Sequence, residues 1–217
     1  MKRKLSVGGI TARIDPRLPP RKIVRVVSQT KFIPAKDAIS PLECLKTSLS
    51  ARGIDFSVKK FDAINDFFVK TGEEDINAYG LDVLDAVRRS DVEQLRTYHK
   101  EGRTLKCSNK FGESLLHLAC RKSLTSVVDF LINEAEVPVQ VIDDMGRSPA
   151  HDAFWAAKPN IELISMILKK CPDLLYVSDK RGDIPTSYCR KEHWETWIQF
   201  FKDQPSLLLP RKLLSLK

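Results

Sequence analysis

Hydrophobic residues first recur at helical spacing in the stretch SPLECLKTSLSARG, where Leu42, Leu45 and Leu49 share one side. Ser40, Pro41 and Glu43 supply a cap, a first-turn proline and the third position of a capping box, and Gly53 follows as a stop. A second amphipathic run, VKKFDAINDFFVKTG, predicts another helix, with Phe61, Ile64, Phe67 and Phe68 on one face and Gly72 at its end. Two short helices with apolar faces need a surface to lie against. The remainder of the chain provides one, and the pair is expected to form an N-terminal cap on it.

That remainder repeats itself. FGESLLHLAC returns as MGRSPAHDAF, with Gly112 to Gly146, His117 to His151 and Ala119 to Ala153 each 34 residues apart. A third copy, RGDIPTSYCR, follows at a spacing of 36, with Gly182, Pro185 and Cys189 in the places of Gly146, Pro149 and Ala153. In each copy glycine permits a turn that a side chain would obstruct, serine or proline starts a helix, and a small residue lets neighbouring helices approach. A second helix with its own apolar face follows each time: Val127, Val128, Leu131 and Ile132, then Ile161, Ile164, Ile167 and Leu168, then Trp194, Trp197, Ile198 and Phe201. Such a unit is too small to bury its own apolar face, and stacked copies bury each other's.

These residues resemble the ankyrin repeat, whose signature runs G-x-T-P-L-H-x-A over about 33 residues. The match is good for the copies that start at Gly112 and Gly146 and partial for the one at Gly182, where Thr186 replaces an apolar residue, Ser187 stands for histidine and the second helix reads as short. A degenerate first copy, VLDAVRRSDVEQLRTYHKEG, places Ala86 33 residues before Ala119, with Ser90 where glycine is usual. Four units between residues 79 and 201 are expected. The resemblance implies a rigid platform that binds another protein, and it implies that His117 and His151 brace turns through hydrogen bonds to the backbone.

On that platform the residues after each small alanine should look out over the concave face. They are Arg88 and Arg89, then Arg121 and Lys122, then Trp155 and Ala156, then Lys191 and Glu192, a mostly basic row with one aromatic. Turn tips would add Lys110 and Phe111, Asp144 and Met145, and Lys180 and Arg181. Arginine beside an exposed aromatic is the composition of interface anchors, so an acidic partner segment is the expected ligand. The bland alternative is a solvated face, with Trp155 folded back onto Pro159.

Charge sharpens the division of the chain. The net charge is +8, yet residues 1–36 hold ten basic side chains against Asp15 alone, so the remainder carries −1. With Pro16, Pro19, Pro20 and Pro34 and little apolar periodicity, this arm is expected to be disordered. It reads as a solvated tail, a nuclear-import or nucleic-acid-binding patch, a phosphorylation site at Ser6, or a transit peptide, although the prolines break any amphipathic helix. The longest apolar runs fall far short of the roughly 20 residues a bilayer demands. Five scattered cysteines, Cys44, Cys107, Cys120, Cys171 and Cys189, form no CxxC pair and read as reduced thiols of an intracellular protein.

Catalytic signals are weak. The chain has no zinc-ligand spacing, no phosphate-binding glycine loop and no nucleophile elbow. His151 and Asp152 are adjacent and diverge by about 100° on a helix, so they cannot form a dyad. Asn109, Asp143 and Asp179 each sit three residues before a glycine, the register of a turn-bracing hydrogen bond.

The sequence therefore predicts an all-α ankyrin-repeat solenoid of helix-turn-helix repeats with an N-terminal helical cap. Its parts are a basic disordered arm (residues 1–37), the cap (38–74), the repeat domain (75–204) and a C-terminal tail (205–217). The expected function is non-enzymatic protein binding through the concave face and turn tips, without cofactor or metal, by a cytoplasmic or nuclear monomer. The alternative is a nucleic-acid-associated protein whose arm contacts phosphates.

Overall fold

The computed structural model describes residues 39–211. The basic arm, with its import, Ser6 and nucleic-acid readings, lies outside the described residues, as do residues 212–217. The first helix, α1 (Pro41–Ser50), starts as expected: the Ser40 side chain accepts from the Glu43 amide at 3.1 Å and Pro41 occupies the first turn. Only half of a capping box forms, because the Glu43 carboxylate turns outward to Lys46 at 2.9 Å. Cys44, Leu45 and Leu49 are buried, and Gly53 takes a left-handed φ of +69° just beyond the helix.

The second run departs from expectation. Lys59 and Lys60 are extended as β1 (Lys59–Lys60), and Phe61–Phe67 forms a 3-10 segment kinked at Ile64 rather than an α-helix. The Asp and Asn residues of this run favour turns over helix interior. Gly72 does not end a helix. It precedes α2 (Glu73–Asn77), whose acidic first turn suits a helix start, and its amide donates to Asp75 Oδ2 at 3.1 Å.

The repeats then follow in order. α3 (Leu81–Arg88) and α4 (Val92–Lys100) make the first pair. α5 (Leu115–Arg121) and α6 (Thr125–Asp129), which continues as a π-helical turn through Glu134, make the second. α7 (Pro149–Trp155) and α8 (Ile161–Lys170) make the third. Ser90 and Ser123, 33 residues apart, both adopt φ 56° between the two helices of their units, the place where glycine is usual. In the fourth unit the expectation is reversed. Its second helix, α9 (Trp194–Asp203), is a full ten residues, and it is the first helix that shrinks, to the 3-10 turn Pro185–Tyr188. Ile184 offers no side-chain cap there, and Ser187 has no ring with which to reach the neighbouring turn.

Most of the expected apolar positions are buried in one continuous core, with Ile161, Trp194 and Ile198 half-buried against it, and the aromatic group Phe154, Trp197, Phe200 and Phe201 joins it at the C-terminal end. The first helix does not sit where a cap on the N-terminal unit would. α1 packs on α9 and on the 3-10 turn at Pro185, at the opposite end of the stack. Its apolar face identifies it as a cover, and burying Leu45 and Leu49 contributes about 1.5–3 kcal/mol each. The chain must then return to α3, and residues 54–72 cross the whole series of turns to do so. After α9, Pro205–Leu208 forms another 3-10 turn with Leu207 and Leu208 buried, and the Arg211 amide donates to Asp173 at 2.9 Å.

Thr186, in the place of an apolar residue, is 2% exposed, and its hydroxyl has no hydrogen-bond partner among the described residues. Thr186→Val keeps the shape and removes the buried hydroxyl. It is expected to raise stability by about 1–2 kcal/mol, read as a higher urea midpoint at unchanged slope; an unchanged or lower midpoint would refute the reading.

Candidate partner-binding surface

The turns are the most regular part of the molecule. Asn109 Oδ1 accepts from the amides of Phe111 and Glu113 at 2.9 and 3.1 Å. Asp143 Oδ1 does the same for Met145 and Arg147 at 2.9 and 2.8 Å, and Asp179 Oδ1 for Arg181 and Asp183 at 2.8 and 2.9 Å. Each turn ends in a glycine with φ between +75° and +86°. Neighbouring turns are joined through the backbone, the Asp144 amide donating to the Phe111 carbonyl at 2.7 Å and the Lys180 amide to the Met145 carbonyl at 2.9 Å.

Both repeat histidines lie beneath these turns and are fully buried. His117 Nδ1 accepts from the Ser114 amide at 3.1 Å, and His151 Nδ1 from the Ser148 amide at 3.0 Å. A nitrogen that accepts carries no proton, so the hydrogen is on Nε2. There it donates to the Arg147 carbonyl at 2.8 Å in one case and to the Asp183 carbonyl at 3.2 Å in the other, each in the following repeat. The rings are thus structural ties between units.

The predicted row divides into residues that face outward and one that does not. Arg88 and Arg89 are exposed, Arg88 with its guanidinium 3.4 Å from Asp85 of its own helix. Lys122, Lys110, Lys180 and Arg181 are exposed, and Met145 is half-buried. Arg121 is half-buried. Its guanidinium grips the buried Asp152 carboxylate with two bonds of 3.1 Å and lies 2.8 Å from Glu113, so it serves as an internal clamp between repeats. Repeat alignment carries the signal: Asp152 stands where the preceding copy has Leu118, and an acid at an apolar position needs a partner.

Two aromatic rings remain open to solvent, Phe111 at 53% exposure and Trp155 at 47%. Each has a cation over its face: Lys110 Nζ lies 5.1 Å from the Phe111 centroid and the Arg190 guanidinium 5.9 Å from that of Trp155. The Arg190 Nε–H also donates to the Trp155 carbonyl at 3.4 Å, so the aromatic is held by the following unit. Arg190 is a surface residue the sequence did not single out, since its partner lies 35 positions earlier.

Thiol chemistry has no foothold here. All five cysteines are buried, and loss of solvation pushes the Cys107 thiol up to about 12 and raises Cys120 and Cys189 as well. Among the described residues no group of three or more His, Cys, Asp or Glu side chains is placed to hold a metal ion. Nor is any of their helices long and apolar enough to cross a membrane.

A family model described as ankyrin repeats matches three copies over residues 83–176. A curated protein of Caenorhabditis elegans, named "Putative glutaminase 2", is 30% identical over 71 residues, which make up 33% of this chain. The chain spans 12% of that protein's length.

Buried His151 generates a pH dependence. Burial strips the imidazolium of water and lowers the ring from 6.5 to about 4. The unfolded chain therefore takes up a proton between those values that the folded chain refuses. Stability from this group is complete above pH 6.5 and falls as the pH drops towards 4, by about 3 kcal/mol in all. His151→Asn is expected to be less stable at pH 7.5 and to lose this part of the slope in urea denaturation; parallel pH profiles for the two chains would contradict it.

Proposed function

We propose, because the chain is an ankyrin repeat protein, that it acts by binding another protein and carries no chemistry of its own. Arrays of this family serve as interaction modules, and the finer reading concerns what this one takes. The partner segment is acidic with apolar residues at intervals, and it lies along the turn tips and the ends of the first helices. One observation carries the reading: Phe111 and Trp155 are both about half exposed, and each is flanked by a cation. A large aromatic held open to water in a rigid setting has area to bury against a partner without ordering cost. The flanking Lys110 and Arg190, with Arg88, Arg89, Lys122, Lys180 and Arg181 around them, favour carboxylates through charge complementarity.

Arg121 belongs to the scaffold in this reading, and Met145 to the floor between tips. The short overlap with the nematode protein, 12% of its length, carries no argument for glutaminase chemistry in this chain.

The reading separates binding from stability. Trp155→Ala and Phe111→Ala are expected to leave the urea midpoint nearly unchanged while each lowers recovery of partners in affinity capture from the source cell at least tenfold. Arg121→Ala is expected to do the opposite, destabilising by about 2–3 kcal/mol because Asp152 is left buried without its cation. An unchanged partner set with the double aromatic variant would refute this surface.

A further inference from the structure

Residues 54–72 cross the turns in a direction opposite to the repeats, touching each in sequence. Phe56 meets the ring of Tyr176 edge-on at 6.0 Å between centroids. Lys59 and Lys60 pair in parallel with β2 (Val177–Ser178), opposite Val177 and Ser178. Phe61 then covers Gly146 so closely that a β-carbon there would lie 2.5 Å from the ring. Further on, the Val69 amide donates to the Gln140 carbonyl at 2.8 Å, and Ser108 Oγ reaches Thr71 at 3.4 Å. A peptide added to a sheet edge makes the same kinds of contact: backbone bonds for affinity and one aromatic in a pocket for register.

The hold is local. Pairing at β1 is two residues long, the 3-10 segment beyond it is kinked at Ile64, and Val58 and Val69 are exposed. Elements with few buried contacts and short ladders open at lower free energy than the core they lie on.

We infer that the track along the turn loops is an interaction surface for an extended protein segment with an aromatic residue at the Gly146 pocket, and that residues 54–72 fill it as the chain's own internal ligand. Opening the strap bares the edge at Val177 and Ser178, the pocket over Gly146 and the Gln140 carbonyl together, so an external segment of this pattern competes for all three. The inference rests on the reading of the chain as a protein-binding module, and it adds a second surface, distinct from the exposed aromatics, that is closed at rest.

The test needs no natural partner, so it fails or succeeds independently of that reading. A fluorescent peptide of residues 54–72 is titrated into the full wild-type chain and into the full-length Phe61→Ala chain, with anisotropy as the readout. The variant is expected to bind at least tenfold more tightly than the wild type, and a peptide that itself carries Phe61→Ala is expected to bind neither. Equal binding to both chains, or none to the variant, overturns the proposal. Hydrogen exchange decides the matter if Phe61→Ala does not fold. In the wild type the amides of residues 59–69 are expected to exchange at least 100-fold faster than those of α5 and α7. Gly146→Ala should speed them further, whereas Gly182→Ala, at φ +86° with nothing within 4 Å, should not. Strap protection equal to that of the core, or the same response to both glycine variants, overturns it.

Discussion

Two buried imidazoles hold successive repeats together. His117 and His151 each accept a backbone hydrogen at the start of their own helix and donate one to the turn of the following unit, at Arg147 and Asp183. The bond set allows a single tautomer, and it spans the boundary that stacking of apolar faces alone would leave free to slide. Asp143 and Asp179 shape the two turns that receive these bonds, and the Arg121–Asp152 clamp spans the boundary between the second and third units. Where the ring is missing, at Ser187, the first helix shortens to one turn. Tyr188 provides a different attachment there, donating to Asp179 at 2.5 Å and packing edge-on against His151 at 5.4 Å.

A weak last unit needs a cover, and that accounts for the path of the N-terminal segment. An array end exposes one apolar flank to water unless something polar or something apolar is placed on it. At the N-terminal end α3 leaves Asp82, Asp85, Arg88 and Arg89 exposed, and Leu81 with them at 78% exposure. At the C-terminal end α1 lies over α9, and Leu207 and Leu208 pack nearby. Because the covering helix precedes the array in sequence, the chain has to travel back over the turns, and the strap follows from that connectivity.

Local periodicity makes much of this architecture visible in the amino-acid sequence. Gly112, Gly146 and Gly182 fall at like places with like dihedrals, because the left-handed backbone that each turn requires is a local matter that glycine reports directly. The helices of the first three units and the Ser40 cap are legible for the same reason, whereas the bracing by His117 and His151 follows from the resemblance to the ankyrin repeat. What was not legible depends on distant partners. Leu45 and Leu49 announce a sticky face but not which end of the stack receives it. The aromatics of residues 61–68 suggested a helix because their spacing suits one, whereas Phe61 is placed by Gly146, 85 positions away. Gly72 reads as a stop after the aromatic run, although the three acids that follow it mark a beginning. Arg121 looked like an open cation because Asp152 lies in the next repeat, and Arg190 drew no notice because its ring, Trp155, lies in the preceding one.

Cooperativity is the consequence that can be measured most directly. Trp155, Trp194 and Trp197 sit in the third and fourth units, so their fluorescence reports the C-terminal half, whereas far-ultraviolet circular dichroism reports helices throughout. If the imidazole ties and the stacked apolar faces bind the units into one body, urea unfolding followed by the two signals gives superimposable transitions with one midpoint and one slope. Separate midpoints, with the tryptophans reporting loss of the C-terminal units while the other helices persist, would contradict the account.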